Sequence, residues 1–185
     1  VSAYSEAFEQ IPVFLQTDQL ILGLRQQLSP ATALAYNEAG VIPPNDNSRD
    51  APDLPPIYFN MVAGFFTILW SELSARGIEI VGSSQYCGCP EIPLWHIPSR
   101  QYPGVSMTDW TTGNGNPRYW ALKLIIEYFG PGDQIILDYT TNSNSIDDKK
   151  MIFSQARITA KTQQRALILV NKSHLAQVVK LEDKD

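Results

Sequence analysis

A chain of 185 residues, 44% of them hydrophobic and 18% charged, has the composition of a folded protein and the length to bury a sizeable core, which excludes disorder as its default state. A formal net charge of −5 without a long basic run excludes the clustered Lys and Arg through which a nucleic-acid partner or an anionic membrane surface is held. The longest apolar stretch, 61–70, is about half of a bilayer span and is followed by Glu72 and Arg76, so it predicts a buried helix and no membrane segment.

From 8 to 28, Val13, Phe14, Leu20, Ile21, Leu24 and Leu28 recur at helical spacing between Gln, Asp and Arg. This predicts an amphipathic helix with those six on its buried stripe, closed by Ser29-Pro30 because proline cannot continue the hydrogen-bond ladder. The run 31–41 is short and apolar, and it ends in one carboxylate, Glu38, and Gly40. A strand apolar on both faces belongs in the middle of a parallel sheet or barrel. Burying an unpaired carboxylate is expensive, so a glutamate where such a strand stops is either paired or set at the mouth of a site.

A polar loop with five prolines spans 43–56, and loops of that length in compact domains usually act as lids or binding loops. The spacing of Phe59, Val62, Phe66, Leu69 and Leu73 predicts a second helix over 57–76, stopped by Gly77. A strand follows at 78–82. The loop 83–116 carries Gln85, Tyr86, Trp95, His96, Tyr102, Asp109 and Trp110, and Asn116-Pro117 opens a helix over 117–129 that ends at Gly130-Pro131-Gly132. Trp70 and Trp120 stand inside helices at core spacing and are expected to pack.

Long loops after each strand and tight turns before it are the pattern of a barrel or doubly wound α/β sheet, whose sites lie at the carboxyl ends of the strands. After Gly132 the pattern changes to short β-type runs at 134–139, 151–159, 165–170 and 176–181, which predict part of an antiparallel sheet or sandwich. Two strand-helix units cannot close a barrel of eight, which takes about 250 residues. The first residue, Val1, opens no signal-peptide pattern. The expectation is therefore a C-terminal piece, 1–132 from a barrel and 133–185 from a sandwich, with the remaining N-terminal part of the barrel in missing residues or another chain.

Cys87 and Cys89 are the only cysteines and stand too close for an unstrained bridge. With His96 they lack the second ligand pair of a zinc site, so neither metal nor cofactor is expected. Asn171-Lys172-Ser173 is a glycosylation sequon and leans the reading toward a secreted or extracellular protein.

The run Leu34-Ala35-Tyr36-Asn37-Glu38-Ala39-Gly40-Val41, the strand at 78–82, Ser106-Met107-Thr108-Asp109-Trp110, Arg118-Tyr119-Trp120 and Phe129-Gly130-Pro131-Gly132-Asp133 together resemble the C-terminal part of a glycoside hydrolase. The group resembled is that of β-xylosidases and α-iduronidases, family 39, with heparanase-like enzymes as neighbours. The resemblance implies the last two strand-helix units of a (β/α)8 barrel and the start of its trailing β-sandwich. It also implies a retaining double displacement with Glu38 as nucleophile. The acid/base glutamate of such enzymes ends an earlier strand, which has no counterpart in this chain.

Tyr36 and Asn37, which flank Glu38, are candidates to orient the nucleophile or a sugar hydroxyl. Side-chain alternation along the strand predicts that Tyr36 shares the inward face with Glu38, with Asn37 outward or in the turn, which favours Tyr36. Gln85 and Asp109 are candidates to bond sugar hydroxyls, and Tyr86, Trp95 and Trp110 to stack on the apolar faces of sugar rings. The plainer readings are that Glu38 pairs with an arginine or caps the next loop, and that the rings plug the barrel rim. Two rivals stand beside the glycosidase. One is a non-catalytic carbohydrate-binding or structural protein on the same scaffold, and the other an unrelated α/β enzyme with Glu38 as general base.

Overall fold

The computed structural model describes residues 3–39, 54–88, 106–109, 111–136 and 151–181. In chain order the elements are α1 (Ala3–Phe8), α2 (Gln10–Leu28), β1 (Ala35–Ala39), α3 (Pro56–Ala75), β2 (Ile80–Ser83), α4 (Pro117–Tyr128), β3 (Gln134–Ile136), β4 (Ile152–Ile158) and β5 (Arg165–Asn171). The α/β character expected from the sequence is present. β1 and β2 pair in parallel on either side of α3 in the chain, and β3, β4 and β5 form an antiparallel sheet in that order.

α3 organises the packing. Pro56 fits its first turn, whose N–H groups have no intrahelical acceptor, and Gly77 at φ +76 ends it in the left-handed conformation that costs glycine least. Its buried residues include Val62, Phe66, Leu69 and Leu73, but also Ala63, Ile68, Trp70 and Ser71, which lie on other sides. A helix apolar nearly all round has to be covered on several flanks. Phe8, Ile11 and Leu15 from α1 and α2, Leu122 and Ile125 from α4, and Ile168 and Val170 from β5 supply that cover. Among the described residues no helix is long and apolar enough to cross a membrane.

Polar bonds fix the registration of these layers. Asp18 of α2 is fully buried, accepts the Tyr36 hydroxyl at 2.8 Å and lies 3.9 Å from Arg76 Nε. On the opposite flank, the Gln155 amide donates to the Ser71 carbonyl at 3.2 Å and Arg157 donates to the Ser74 hydroxyl at 2.6 Å, so β4 is tied to the C-terminal half of α3. Glu79, just before β2, accepts from Arg25 at 3.1 Å and from the Leu34 N–H at 2.8 Å, joining the end of α2 to the start of β1. The Leu34 N–H is the leading reason that the Glu79 carboxyl sits below its ordinary range.

A depressed carboxyl in the folded state contributes stability above its unfolded pKa and loses it as pH falls through the folded value. Glu79→Gln is expected to shallow the loss of thermal stability on acidification while lowering stability at neutral pH. Thermal midpoints of the two proteins at neutral pH and below the carboxylate range check this.

The helix expected over 8–28 is present as α2, set off from the short α1 at Glu9, whose N–H bonds the Glu6 carbonyl at 3.1 Å. Three other expectations are corrected by the fold. The buried side of α2 carries Ile11, Leu15 and Asp18, whereas Val13, Leu20, Ile21, Leu24 and Leu28 are exposed and Phe14 is half-buried, so the predicted stripe faces away from α3. Trp120 is exposed, its indole N–H bonded to the Gly115 carbonyl at 3.1 Å, while Trp70 packs in the core as expected. The run 176–181 forms no strand. The Asn171 and Ser173 side chains tie the turn to Leu175, and Val178 beyond it is wholly exposed. The first of those bonds engages the Asn171 amide nitrogen, the atom a sequon glycan would carry.

Candidate functional site

β1 and β2 point their carboxyl ends the same way, and their pairing carries an irregularity at that end. Tyr36 pairs with Val81 and Ala39 with Ser83, so Asn37 and Glu38 together oppose Gly82 alone. One strand therefore has an extra residue, a β-bulge, which locally breaks the alternation of side chains and can re-aim one of them. Tyr36 and Ala39 both pack against the core, and Glu38 and Asn37 are exposed. The shared inward face expected for Tyr36 and Glu38 is thus corrected. The Tyr36 ring lies 5.2 Å from that of Phe14, its hydroxyl is bonded to Asp18, and burial first, then that bond, pushes its phenol up to about 12.

The bulge depends on glycine. A Cβ on Gly82 would lie 2.1 Å from the Asn37 carbonyl oxygen, a contact no side chain can make without moving backbone. Gly82→Ala is expected to cost about 1–3 kcal/mol, the range of overpacking penalties, and to expose β1 amides to hydrogen exchange. A midpoint of urea unfolding equal to wild type would contradict the close approach.

Immediately after β2 the chain returns to Glu38. The hydroxyl of Ser84, a buried residue, donates to Glu38 Oε1 at 2.6 Å, and the Ser84 N–H donates to the Ala39 carbonyl at 2.7 Å. The Ser84 carbonyl accepts from Arg118 Nη2 at 2.7 Å, and the same nitrogen donates to the Gln85 carbonyl at 3.3 Å. Arg118 is 1% exposed, its guanidinium stacked 4.9 Å from the centre of the Phe66 ring, and burial lowers its pKa to about 10. Gln85 adopts φ +48, an unusual conformation for a residue with a side chain.

Arg118 stands in the first turn of α4, and the sequence explains why that turn is where it is. Asn116 caps the helix, its side-chain oxygen accepting from the N–H groups of Arg118 at 3.0 Å and Tyr119 at 3.2 Å. Its amide nitrogen donates to the Ser106 carbonyl at 2.6 Å. The segment before the cap is laid against the strand end, with the N–H groups of Met107 and Thr108 bonded to the Tyr86 carbonyl at 3.0 and 2.9 Å.

Tyr86 is exposed and its ring stands edge-on to Tyr119 at 6.2 Å, which in turn meets Trp120 at 5.2 Å, with Lys123 over the indole at 5.0 Å. This aromatic row begins two residues after Ser84. Asp109, by contrast, turns inward on its own loop, accepting from the N–H groups of Thr111 at 2.8 Å and Thr112 at 2.7 Å and from the Thr112 hydroxyl at 3.1 Å. The Thr112 N–H is the leading cause of its lowered pKa. Gln85 is exposed beside Ser84, and Trp95, Trp110, Cys89 and His96 lie outside the described residues.

No family model, no characterised protein and no solved structure matches the chain. Chemistry has to be read from the site. Of the residues singled out in the sequence, the structure brings Glu38, Gln85 and Tyr86 to one strand end, leaves Asn37 exposed on the bulge, and turns Tyr36 and Asp109 to other partners. Ser84, Arg118 and Tyr119 were not among the candidate site residues, although Arg118 and Tyr119 stand in one of the runs that carry the resemblance. A signal for Ser84 existed, because in a parallel pair the residues just beyond Gly82 must lie beside those ending the first strand. For Arg118 there was none, since an arginine in a first helical turn usually faces solvent.

Proposed function

We propose that the chain is the C-terminal part of a retaining glycoside hydrolase. In this reading β1 and β2 are the last two strands of a (β/α)8 barrel, residues 1–132 belong to the barrel domain, and β3, β4 and β5 open a trailing β-sandwich over 133–185. The observation that carries the proposal is Glu38: a solvent-facing carboxylate at the carboxyl end of a parallel strand, re-aimed by a bulge and held through one oxygen by Ser84. Bulges of this kind recur beside active sites, and sites of α/β sheets and barrels lie at the ends of the strands where Glu38 stands.

Two further features support the reading. Parallel sheets are normally covered and extended on both sides, yet β1 and β2 form a sheet of two strands among the described residues. The apolar residues Leu20, Leu24 and Leu28 on α2 and Leu124 and Tyr128 on α4 face outward, where the neighbouring helices of a closed barrel pack. The remaining N-terminal part of the barrel, in the same polypeptide or another chain, supplies that cover and the acid/base glutamate. The partner is a carbohydrate, neither nucleic acid nor membrane, and the row of exposed Tyr86 and Trp120 with half-buried Tyr119 between them offers rings on which sugars stack.

The chemistry follows from geometry. Ser84 occupies Oε1, leaving Glu38 Oε2 for the anomeric carbon. An ionised Glu38 forms the glycosyl ester as the partner carboxyl, about 5–5.5 Å away in retaining enzymes, protonates the leaving oxygen. Water, giving its proton back to that partner, then attacks the anomeric carbon and releases the sugar and the Glu38 carboxylate. No metal or cofactor enters these steps. Incubating the full-length protein with activated deoxyfluoro glycosides and mapping the adduct by mass spectrometry tests the proposal. A glycosyl ester on Glu38 supports it, and an adduct on another carboxylate refutes the assignment.

A further inference from the structure

Ser84 has a role that its packing does not explain. Glu38 is exposed, so water can satisfy its oxygens and no buried hydroxyl is needed to keep it bonded. A hydrogen bond from Ser84 at 2.6 Å therefore adds little to stability and much to direction. Its hydroxyl is also unusually well placed in space. The Ser84 N–H is fixed to the end of β1 through Ala39, and its carbonyl to the start of α4 through Arg118, which is itself locked between the Phe66 ring and the capped first turn.

The next residue, Gln85, is held at φ +48 with its carbonyl on the same Arg118 nitrogen. Conformations this costly persist only where surrounding contacts enforce them, and they gather at functional sites. A residue serving only to end β2 would need neither the strained successor nor a buried guanidinium behind it.

We propose that Ser84 is a positioning residue for Glu38, and that Arg118 fixes its backbone so that the carboxylate is held in one rotamer with Oε2 toward the sugar. This rests on Glu38 being the nucleophile. Removing the hydroxyl lets the carboxylate swing to other rotamers at the bulge, and a nucleophile misplaced by about 1 Å loses up to about a hundredfold in rate. Substrate binding, which the aromatic row and the rest of the rim supply, is left alone, so the effect falls on kcat and not on KM.

The test uses dinitrophenyl glycosides with the full-length protein. Their leaving group departs with little help from an acid, so the first step reports attack by the nucleophile alone. Ser84→Ala is expected to lower kcat by about 10- to 100-fold with KM and the thermal midpoint nearly unchanged. Ser84→Thr, which keeps the hydroxyl, restores most of the rate. Ser84→Cys fills the same buried space with a weak donor and repeats the loss, so that result stands even where the alanine variant folds poorly.

If Ser84→Ala and Ser84→Cys both retain kcat while Glu38→Gln is inactive, the positioning role falls and the nucleophile stands. If Glu38→Gln is as active as wild type, the nucleophile falls and takes the positioning role with it.

Discussion

Glu38→Gln in the full-length protein is expected to lower glycoside hydrolysis by about three orders of magnitude, ~4 kcal/mol of barrier, while leaving the fold intact. Glutamine has the shape of glutamate, and its amide oxygen still accepts from the Ser84 hydroxyl. What it lacks is the charge and nucleophilicity to trap an oxocarbenium-like centre as an ester. The side chain is exposed, so stability changes by no more than about 0.5 kcal/mol, as for most surface substitutions.

The outcome also separates the rivals. A general base in unrelated chemistry would give no covalent glycosyl adduct, and a carbohydrate-binding protein without an acid/base partner would retain sugar affinity with no turnover to lose. A residual rate within about tenfold of wild type, 1.4 kcal/mol or less, rules Glu38 out as nucleophile.

The elements were largely legible in the sequence because their signals were local. Prolines and glycines at 30, 56, 77, 117 and 130 fix where helices begin and stop, and the helices over 57–76 and 117–129 and the strands near 152 and 165 follow within a residue or two. What periodicity could not decide was which side of α2 faces inward. The stripe Leu20, Leu24 and Leu28 is the stronger apolar face, yet the side that contacts β1 and α3 contains Asp18, because Tyr36 and Arg76 give a buried carboxylate partners that no helical pattern foresees. The bulge was hidden for a related reason. Alternation assumes equal counts in paired strands, and the extra residue opposite Gly82 shows only when the register is known.

The site divides along the same line. Glu38 could be chosen from sequence because a carboxylate ending an apolar strand is chemically conspicuous. Ser84 and Arg118 are ordinary in sequence and gain meaning only from what the chain brings next to them. Trp120 illustrates the converse: helical spacing suggested burial, but α4 turns that face outward, where the ring joins Tyr86 and Tyr119.

Arg118→Ala is expected to cost about 3–5 kcal/mol of unfolding free energy, combining the loss of a large buried side chain with two carbonyls left without their donor. The guanidinium is 1% exposed, bonds Ser84 and Gln85 through one nitrogen and covers the Phe66 ring. Arg118→Met separates the two contributions: the thioether chain refills the volume, so the remaining deficit of about 1–3 kcal/mol measures the hydrogen bonds. Arg118→Lys does not rescue it, since an ammonium lacks the planar fork and is more costly to desolvate.

Burial that lowers the Arg118 pKa to about 10 also sets a sign. Between that value and the ordinary arginine range the unfolded chain binds more protons than the folded one, so this residue makes stability rise with pH there, and the slope vanishes in the alanine and methionine variants. Urea unfolding at neutral and alkaline pH reads both effects. An Arg118→Ala midpoint within about 1 kcal/mol of wild type would show that the 84–85 segment is held by other means. If Arg118 acts on Glu38 through Ser84, Arg118→Met and Ser84→Ala will be strongly non-additive in kcat, because each removes the same alignment and the second loss has little left to take.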